Sequence, residues 1–308
     1  MDTALLADLI ALSETLNFSR AAEKRNITQP AFGRRIRALE EWSGLPLVDR
    51  STHRLKITPG GKIVLAAAAD VLNRLEKAKH ELDQAKTASG TLTFAATHAL
   101  SFTFFPGWFQ SLGPSASALP IRMLSDNMRE CERMMSEGSA QFLLCHYHPE
   151  SEIRLQRSEY RHLELASDQL LPVSARTCDG KPLFALPGLE SEPVPHIAFD
   201  ESSGMGRILA AAIPERAGRL HLKHVLTSHL AMVLKALALE GKGIAWIPGS
   251  IANSELGEGG KLTVAGSDEW VVGVKIVLIR PKARMSELAE RFWAAVESGA
   301  VQSKPPGG

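Results

Sequence analysis

Apolar residues in the first 58 positions recur at helical spacing in three short runs, broken by turn signals at Asn17 and at Asn26-Ile27-Thr28. A compact wing follows, with no sheet pattern between the helices. From Thr58-Pro59-Gly60 the pattern becomes one long helix, because Thr58 is a good N-cap and Pro59 takes the tolerated first-turn position. That helix is predicted to run to about Ala88 and stop before Ser89-Gly90. Along it Val64, Ala68, Val71, Leu75, Ala78, Leu82 and Ala85 alternate at spacings of four and three, a narrow apolar seam that seeks a partner helix. The same spacing also fits a helix packed on its own domain.

After Gly90 short apolar runs alternate with helical segments: Leu92 to Ala96, Ile121 to Leu124, Phe142 to Cys145, Ile197 to Phe199, His224 to Leu226 and Gly243 to Ile247. Such alternation predicts an α/β domain with mostly parallel sheets. Two longer extended segments, Leu163 to Ala175 and Trp270 to Ile279, read as paired crossovers between two lobes, one inserted into the other. The expected divisions are 1–58, a linker helix 59–89, and a sensor 90–302 with one lobe at about 90–163 and 268–302 and the other at about 164–267. Only the tail Ser303-Lys304-Pro305-Pro306-Gly307-Gly308 has a disordered composition.

With 308 residues and 44% hydrophobic composition, the chain can bury more than one core. Its formal charge of +1 gives no global attraction to nucleic acid, so a DNA-binding role has to rest on local cations. The start of the chain lacks a basic segment ahead of a long apolar run, which predicts no export, no membrane partner and a cytoplasmic location. Cys131, Cys145 and Cys178 share no metal-ribbon or disulfide spacing and read as ordinary thiols.

The local cations lie at residues 18–40. Phe18 to Lys24 and Gln29 onward read as helix, tight turn, helix, with Ser19 expected to cap the first and Thr28 the second, and Pro30 in the second helix's first turn. Phe32, Ile36 and Leu39 share one face and should pack on Leu16, Ala22 and Ile27. Pro30, Gly33, Arg34 and Arg37 then face outward, where guanidinium groups reach guanine edges and Gln29 can pair with adenine. Arg35 sits on the flank and suits a phosphate, and Arg50, Arg54 and Lys56 place further cations on the wing, where the DNA backbone would pass. An arbitrary arginine cluster is more often a solvated helix face. The wing directly after it favours DNA.

The ordered set Phe18-Ser19-Arg20-Ala21-Ala22, Gln29-Pro30-Ala31, Ile36-Arg37-Ala38-Leu39-Glu40, Gly44-Leu45-Pro46-Leu47-Val48-Asp49-Arg50 and Leu55-Lys56-Ile57-Thr58-Pro59-Gly60-Gly61 resembles the LysR-type transcriptional regulators. Weaker likeness continues through Gly90-Thr91-Leu92-Thr93-Phe94 and Gly241-Lys242-Gly243-Ile244-Ala245-Trp246-Ile247-Pro248. The resemblance implies an all-α winged helix-turn-helix, a long linker helix, and an α/β two-lobed sensor like a periplasmic binding protein. It further implies double-stranded DNA as a partner, a small effector between the lobes, a homodimer or homotetramer, and RNA polymerase as a further partner. Gly33 departs from the serine usual there, removing a hydroxyl contact to DNA. Phe142 to His146, Gly204-Met205-Gly206-Arg207 and Arg284 to Trp293 look most like the hypochlorite-responsive subgroup, which makes oxidation of methionine, at Met205, or of cysteine an alternative input to effector binding. Met205 also fits as a pocket or core residue.

Strand ends feeding helix starts are natural anion sites in parallel α/β folds, and three such junctions stand out. They are Thr97-His98-Ala99-Leu100-Ser101, Ser202-Ser203-Gly204 and Thr227-Ser228-His229. The hydroxyls serve equally as plain helix caps. His98, His146 and His148 raise a metal, but no carboxylate or cysteine pair completes a ligand set, so no metal or cofactor is expected. His146 joins the candidate effector residues. An enzyme would need a nucleophile, base or metal triad in the sensor, and none stands out. A free-standing solute-binding protein would have no use for residues 1–58.

Overall fold

The computed structural model describes residues 2–50, 55–86, 90–114, 118–213, 218–257 and 259–302. It divides into two compact units, Met1–Lys86 and Thr87–Gly308. Arg54 and the Ser303 to Gly308 tail lie outside the described residues.

In the first unit α1 (Thr3–Thr15), α2 (Phe18–Lys24) and α3 (Gln29–Ser43) enclose Leu9, Leu12, Ala22, Phe32, Ile36 and Leu39, with Ile27 packed against them. Leu16 does not join this core: it closes α1 with a φ of +46° and its N–H on the Leu12 carbonyl, and its side chain is 49% exposed. Asn17, not Ser19, caps α2, its Oδ1 accepting from the N–H groups of Ser19 (2.9 Å) and Arg20 (3.1 Å). Ser19 falls inside the helix because the extended residue that turns the chain into it is Asn17. Thr28 holds the N-cap position of α3 with no side-chain cap bond, and Pro30 is in the first turn. Asp8 is fully buried and shared by Arg25 (2.7 Å) and Arg35 (3.3 Å), which ties α1 to both later helices.

The wing is the antiparallel pair β1 (Val48–Asp49) and β2 (Lys56–Ile57). Thr58 Oγ1 accepts from Gly61 N (3.0 Å) at the start of α4 (Pro59–Lys86) and donates to the Pro46 carbonyl (2.7 Å). Gly61 is required there, since a Cβ would lie 2.2 Å from the Leu47 oxygen. The seam of α4 divides. Val64, Leu65, Ala68 and Leu72 pack into the first unit's own core, while Val71, Leu75, Ala78 and Leu82 are exposed, Leu82 by 63%. Helix length explains this: 28 residues span about 42 Å, roughly twice the reach of the 13-residue α1 beside it. The Ala85 side chain lies outside the described residues.

The second unit is built on one seven-stranded sheet of mixed direction rather than mostly parallel sheets. β3 (Leu92–Thr97) pairs in parallel with β4 (Ile121–Asp126) and β5 (Phe142–Tyr147). The crossovers, β6 (Tyr160–Ala175) and β11 (Val272–Pro281), pair antiparallel with each other from Leu170↔Val272 to Tyr160↔Pro281. They need partners for their own backbones, so they enter the sheet and set its mixed sense. β7 (Val194–Phe199) and β8 (Leu222–Ser228) form a separate parallel pair beyond them, and β9 (Ala245–Pro248) and β10 (Leu262–Val264) complete the sheet by pairing antiparallel with β6. The result is two lobes, one cored by Phe94, Phe142, Leu278 and Phe292, the other by Leu170, Ile208, Trp246 and Trp270. No helix among the described residues is long and apolar enough to cross a membrane.

Candidate nucleic-acid interface and effector cavity

On α3 the apolar face is consumed by the core, so Gln29, Pro30, Arg34 and Arg37 are exposed and Gly33 is half-buried. Arg34 and Arg37 have no ion pair among the described residues. A Cβ at Gly33 would meet nothing within 4 Å, so packing does not demand glycine there. Ser19 Oγ lies 3.2 Å from Gln29 Oε1, which holds the Gln29 amide beside the α2 start. Other cations are committed to the fold. Arg35 serves Asp8, and Arg50 pairs with Glu40 Oε2 (2.8 Å) with its guanidinium 5.4 Å from the Phe18 ring centre. Glu40 Oε1 also accepts from the Leu47 (3.1 Å) and Val48 (3.3 Å) N–H groups, so this pair pins the wing to α3. Lys56 remains exposed on β2.

In the second unit, four strand-to-helix junctions converge on one cavity. Thr97 ends β3 and holds the N-cap position of α5 (His98–Thr103) without a side-chain bond, and α6 (Phe105–Ser111) follows; Asn127 follows β4 and caps α7 (Met128–Ser136); Ser203 follows β7 and caps α8 (Gly204–Ala212); Leu230 follows β8 and precedes α9 (Ala231–Leu239). β3 and β4 lie in one lobe, β7 and β8 in the other. The cavity holds about 30 Å³, room for roughly one or two water-sized particles. Of the candidates, Thr97, His98, His146, Ser203, Gly204 and Met205 line it, together with Asp126, Asn127, Met128, Phe199 and His229.

The remaining candidates lie elsewhere. Leu100 is buried in the lobe core. Ser101 Oγ is bonded to the His98 carbonyl (2.8 Å) and Ser125 Oγ (2.9 Å), and Ser202 Oγ donates to Asp200 Oδ1 (2.6 Å). Thr227 Oγ1 lies 2.9 Å from His224 Nε2, and Ser228 Oγ accepts from Leu230 N. Each of these hydroxyls already has a partner within the protein.

Two lining residues carry a buried polar atom with no partner among the described residues, Thr97 at Oγ1 and His146 at Nδ1. The other ring nitrogen of His146, Nε2, is 3.3 Å from Asp168 Oδ2 on β6, and Ser250 Oγ donates to the same oxygen (2.7 Å). Burial works to raise the Asp168 carboxyl pKa, but the bonds from His146, Ser250 and the Gln169 N–H outweigh it and hold it below the usual 3.8. Beside the cavity, Glu132 of α7 is 3% exposed and receives both terminal nitrogens of Arg207 of α8, each at 3.1 Å, a bidentate pair joining the lobes. Burial pushes the Cys131 thiol up to about 12 and Cys145 higher still, so neither supplies a thiolate, and Cys178 is the exposed cysteine.

Comparison with known proteins matches both units. The bacterial regulatory helix-turn-helix model of the lysR family covers residues 4–62, and the LysR substrate binding domain covers 85–300. The Escherichia coli K12 regulator YjiE is 32% identical over 298 residues, 95% of this chain and 93% of that one. The Vibrio fischeri regulator DarR, solved in complex with DNA, is 29% identical with a TM-score of 0.56, covering 96% of this chain and 98% of that one. Full-length HypT of Salmonella typhimurium, described as a hypochlorite-specific LysR-type regulator, is 28% identical with a TM-score of 0.59, covering 98% and 99%. A winged helix-turn-helix joined to a two-lobed effector-binding domain defines a DNA-binding transcriptional regulator, not an enzyme. The chain belongs to the LysR family.

Proposed function

We propose that this regulator holds a small anion or polar molecule between its sensor lobes, and that occupancy changes how paired DNA-binding units engage their half-sites. The observation that carries this reading is the pair of orphaned polar atoms, Thr97 Oγ1 and His146 Nδ1, on two residues that line one cavity. A buried polar group left unpaired costs about 1–3 kcal/mol, so two in one place argue for a ligand that supplies the missing bonds. The starts of α7, α8 and α9 at the cavity favour negative charge against the Asp126 carboxylate that also lines it, and its volume favours an ion of one to three atoms unless the lobes part. On DNA, Gln29, Arg34 and Arg37 read base edges while Lys56, with Arg54 by its sequence position, meets phosphate. The exposed seam of Val71, Leu75, Ala78 and Leu82 joins two copies.

Bromide is a suitable probe because it fits such a volume and sulfate does not. At constant ionic strength, bromide should raise the melting temperature of the full chain in a saturable way. Thr97→Val should abolish that gain and leave DNA binding without bromide unchanged. Equal stabilisation of wild type and variant by bromide and sulfate would remove the site.

A second reading has its own support, since the buried thioethers of Met128 and Met205 both line the cavity and HypT is described as hypochlorite-specific. Oxidation to sulfoxide would place a polar oxygen in the cavity, take up the space a small effector would fill and add a hydrogen-bond acceptor between the lobes. Peptide mass spectrometry after hypochlorite treatment should find oxidation at Met205 ahead of the exposed Met232, and Met205→Leu should lose the transcriptional response. Oxidation confined to Met232 would exclude this input.

A further inference from the structure

A second cavity, of about 360 Å³ against about 30 Å³ between the lobes, opens on the outer side of the lobe that contains β3 to β5. It lies where the end of β5, the start of β6 and the end of β11 meet, beneath the 148–159 loop. Strand alternation separates it from the inter-lobe cavity: Tyr147 shares a face with Leu143 and Cys145, and the adjacent His146 points to the other. Its floor is apolar, made by Ile153, Leu155 and Ile279 with the rings of Tyr147 and Tyr160. The phenol of Tyr160 donates to the Met135 carbonyl, so that ring presents carbon to the cavity.

The rim is cationic. Arg157, Arg161 and Lys282 line it with His162, and among the described residues no carboxylate does. Lys282 Nζ donates to the Arg157 carbonyl (2.8 Å), which holds the ammonium beside the Arg157 backbone at the same edge of the cavity, and Glu159 accepts from Lys282 N with its carbonyl (2.7 Å). Arg161 rests over Trp293, with its guanidinium 5.1 Å from the ring centre. The Arg157 guanidinium has no bonded partner among the described residues. An apolar floor of this size with a few convergent charges at one edge has the composition of a small-molecule site.

We infer that this cavity is a second ligand site, for an amphipathic monocarboxylate whose apolar body lies on Ile153, Leu155 and Ile279 and whose carboxylate meets Arg157 and Lys282. Charge-assisted bonds to a guanidinium give the head group its preference over a neutral one. The apolar body is what the inter-lobe cavity has no space for, so the two sites select different molecules.

Titration calorimetry of the full chain with octanoate and with 2-naphthoate tests this, with octanol and acetate as probes lacking the charge or the body. Both carboxylates should bind saturably, one per chain, and the stronger one tells whether the body is alkyl or aryl. Octanol and acetate should each bind at least about tenfold more weakly. Arg157→Gln alone should weaken both carboxylates, and Arg157→Gln with Lys282→Gln should do so by at least about tenfold, while Thr97→Val should change nothing. Carboxylate binding that is absent, that survives the double variant, or that is lost in Thr97→Val overturns the assignment. The last result would place the ligand between the lobes instead, whereas bromide stabilisation can fail without touching this site.

Discussion

On α3 the side chains proposed to touch DNA, Gln29, Arg34 and Arg37, stand in solvent, and the two arginines have no protein partner among the described residues. In the inter-lobe cavity the opposite holds: apart from His229 the lining is buried or half-buried, and among the described residues the lining's fully buried side-chain polar atoms without a partner are Thr97 Oγ1 and His146 Nδ1. The difference follows from the ligands. A polyanion brings its own field and meets solvated cations without prior desolvation. A small effector offers few atoms, so its site must be desolvated beforehand and leave unpaired only the groups the ligand will satisfy. Substitutions on α3 are therefore expected to move DNA affinity and spare stability, whereas those around the cavity should move both stability and response.

The largest effect is expected outside both sites, at the exposed half of the α4 seam. Leu75→Asp buries a charge in any helix pair, costing about 4 kcal/mol or more, so light scattering should find monomers. A normal oligomer would mean that the seam is not the contact, and that paired DNA faces need another explanation.

Next is Arg207→Ala, which strands the buried Glu132 carboxylate and should cost about 3 kcal/mol in urea unfolding. Adding Glu132→Gln should recover part of it, because the uncompensated charge is then gone. Arg34→Ala, on the open α3 face, should stay within about 0.5 kcal/mol of wild type in the same assay. Equal losses for Arg207→Ala and Arg34→Ala would erase the contrast between the two regions.

On DNA, Arg34→Ala or Gln29→Ala should lose about 1–3 kcal/mol of discrimination between specific and scrambled sites. Lys56→Ala should weaken both alike and reduce the salt slope by about one. Footprinting across a salt series separates the two. Arg50→Ala sharpens the comparison further, since its pairing with Glu40 means that it should lower stability as well as DNA affinity.

The smallest effect is a pH dependence confined to the sensor. Burial, with a lesser contribution from His224, lowers the His196 pKa from 6.5 to about 4, so the folded state resists a proton that the unfolded chain accepts. Stability from this residue is complete above 6.5 and is lost as pH falls from there to about 4. His196→Leu should flatten that part of the profile by on the order of 1 kcal/mol in thermal melts. An unchanged slope would show that His196 is not the group responsible.

Legibility differs between the two regions for the same physical reason. The DNA-binding unit is built from local contacts, so helix periodicity, helix starts and wing could be read from residues 1–58, apart from the shift of the cap from Ser19 to Asn17, the missing side-chain bond at Thr28 and the exposure of Leu16. What local pattern did not show was partnership: the pairing of Arg35 with Asp8 joins residues far apart in sequence, as does that of Arg50 with Glu40. In the sensor, Thr97 and Ser203 were visible because a hydroxyl followed a strand and preceded a helix. Asn127 carries the same cap signal after β4, and reading it would have brought Met128 into the candidate set. Asp168 and Ser250 had no signal, since their importance depends on the antiparallel crossovers, whose direction apolar runs do not encode.

The central claim, that the inter-lobe cavity is a preformed site for a small effector, is tested most directly by diffraction from the full chain soaked in bromide and measured at the bromine absorption edge. The account predicts an anomalous peak within hydrogen-bond reach of Thr97 Oγ1 and His146 Nδ1, lost in Thr97→Val crystals of the same form. Anomalous peaks only on the protein surface, or water-sized density in the cavity unchanged by bromide, would contradict it.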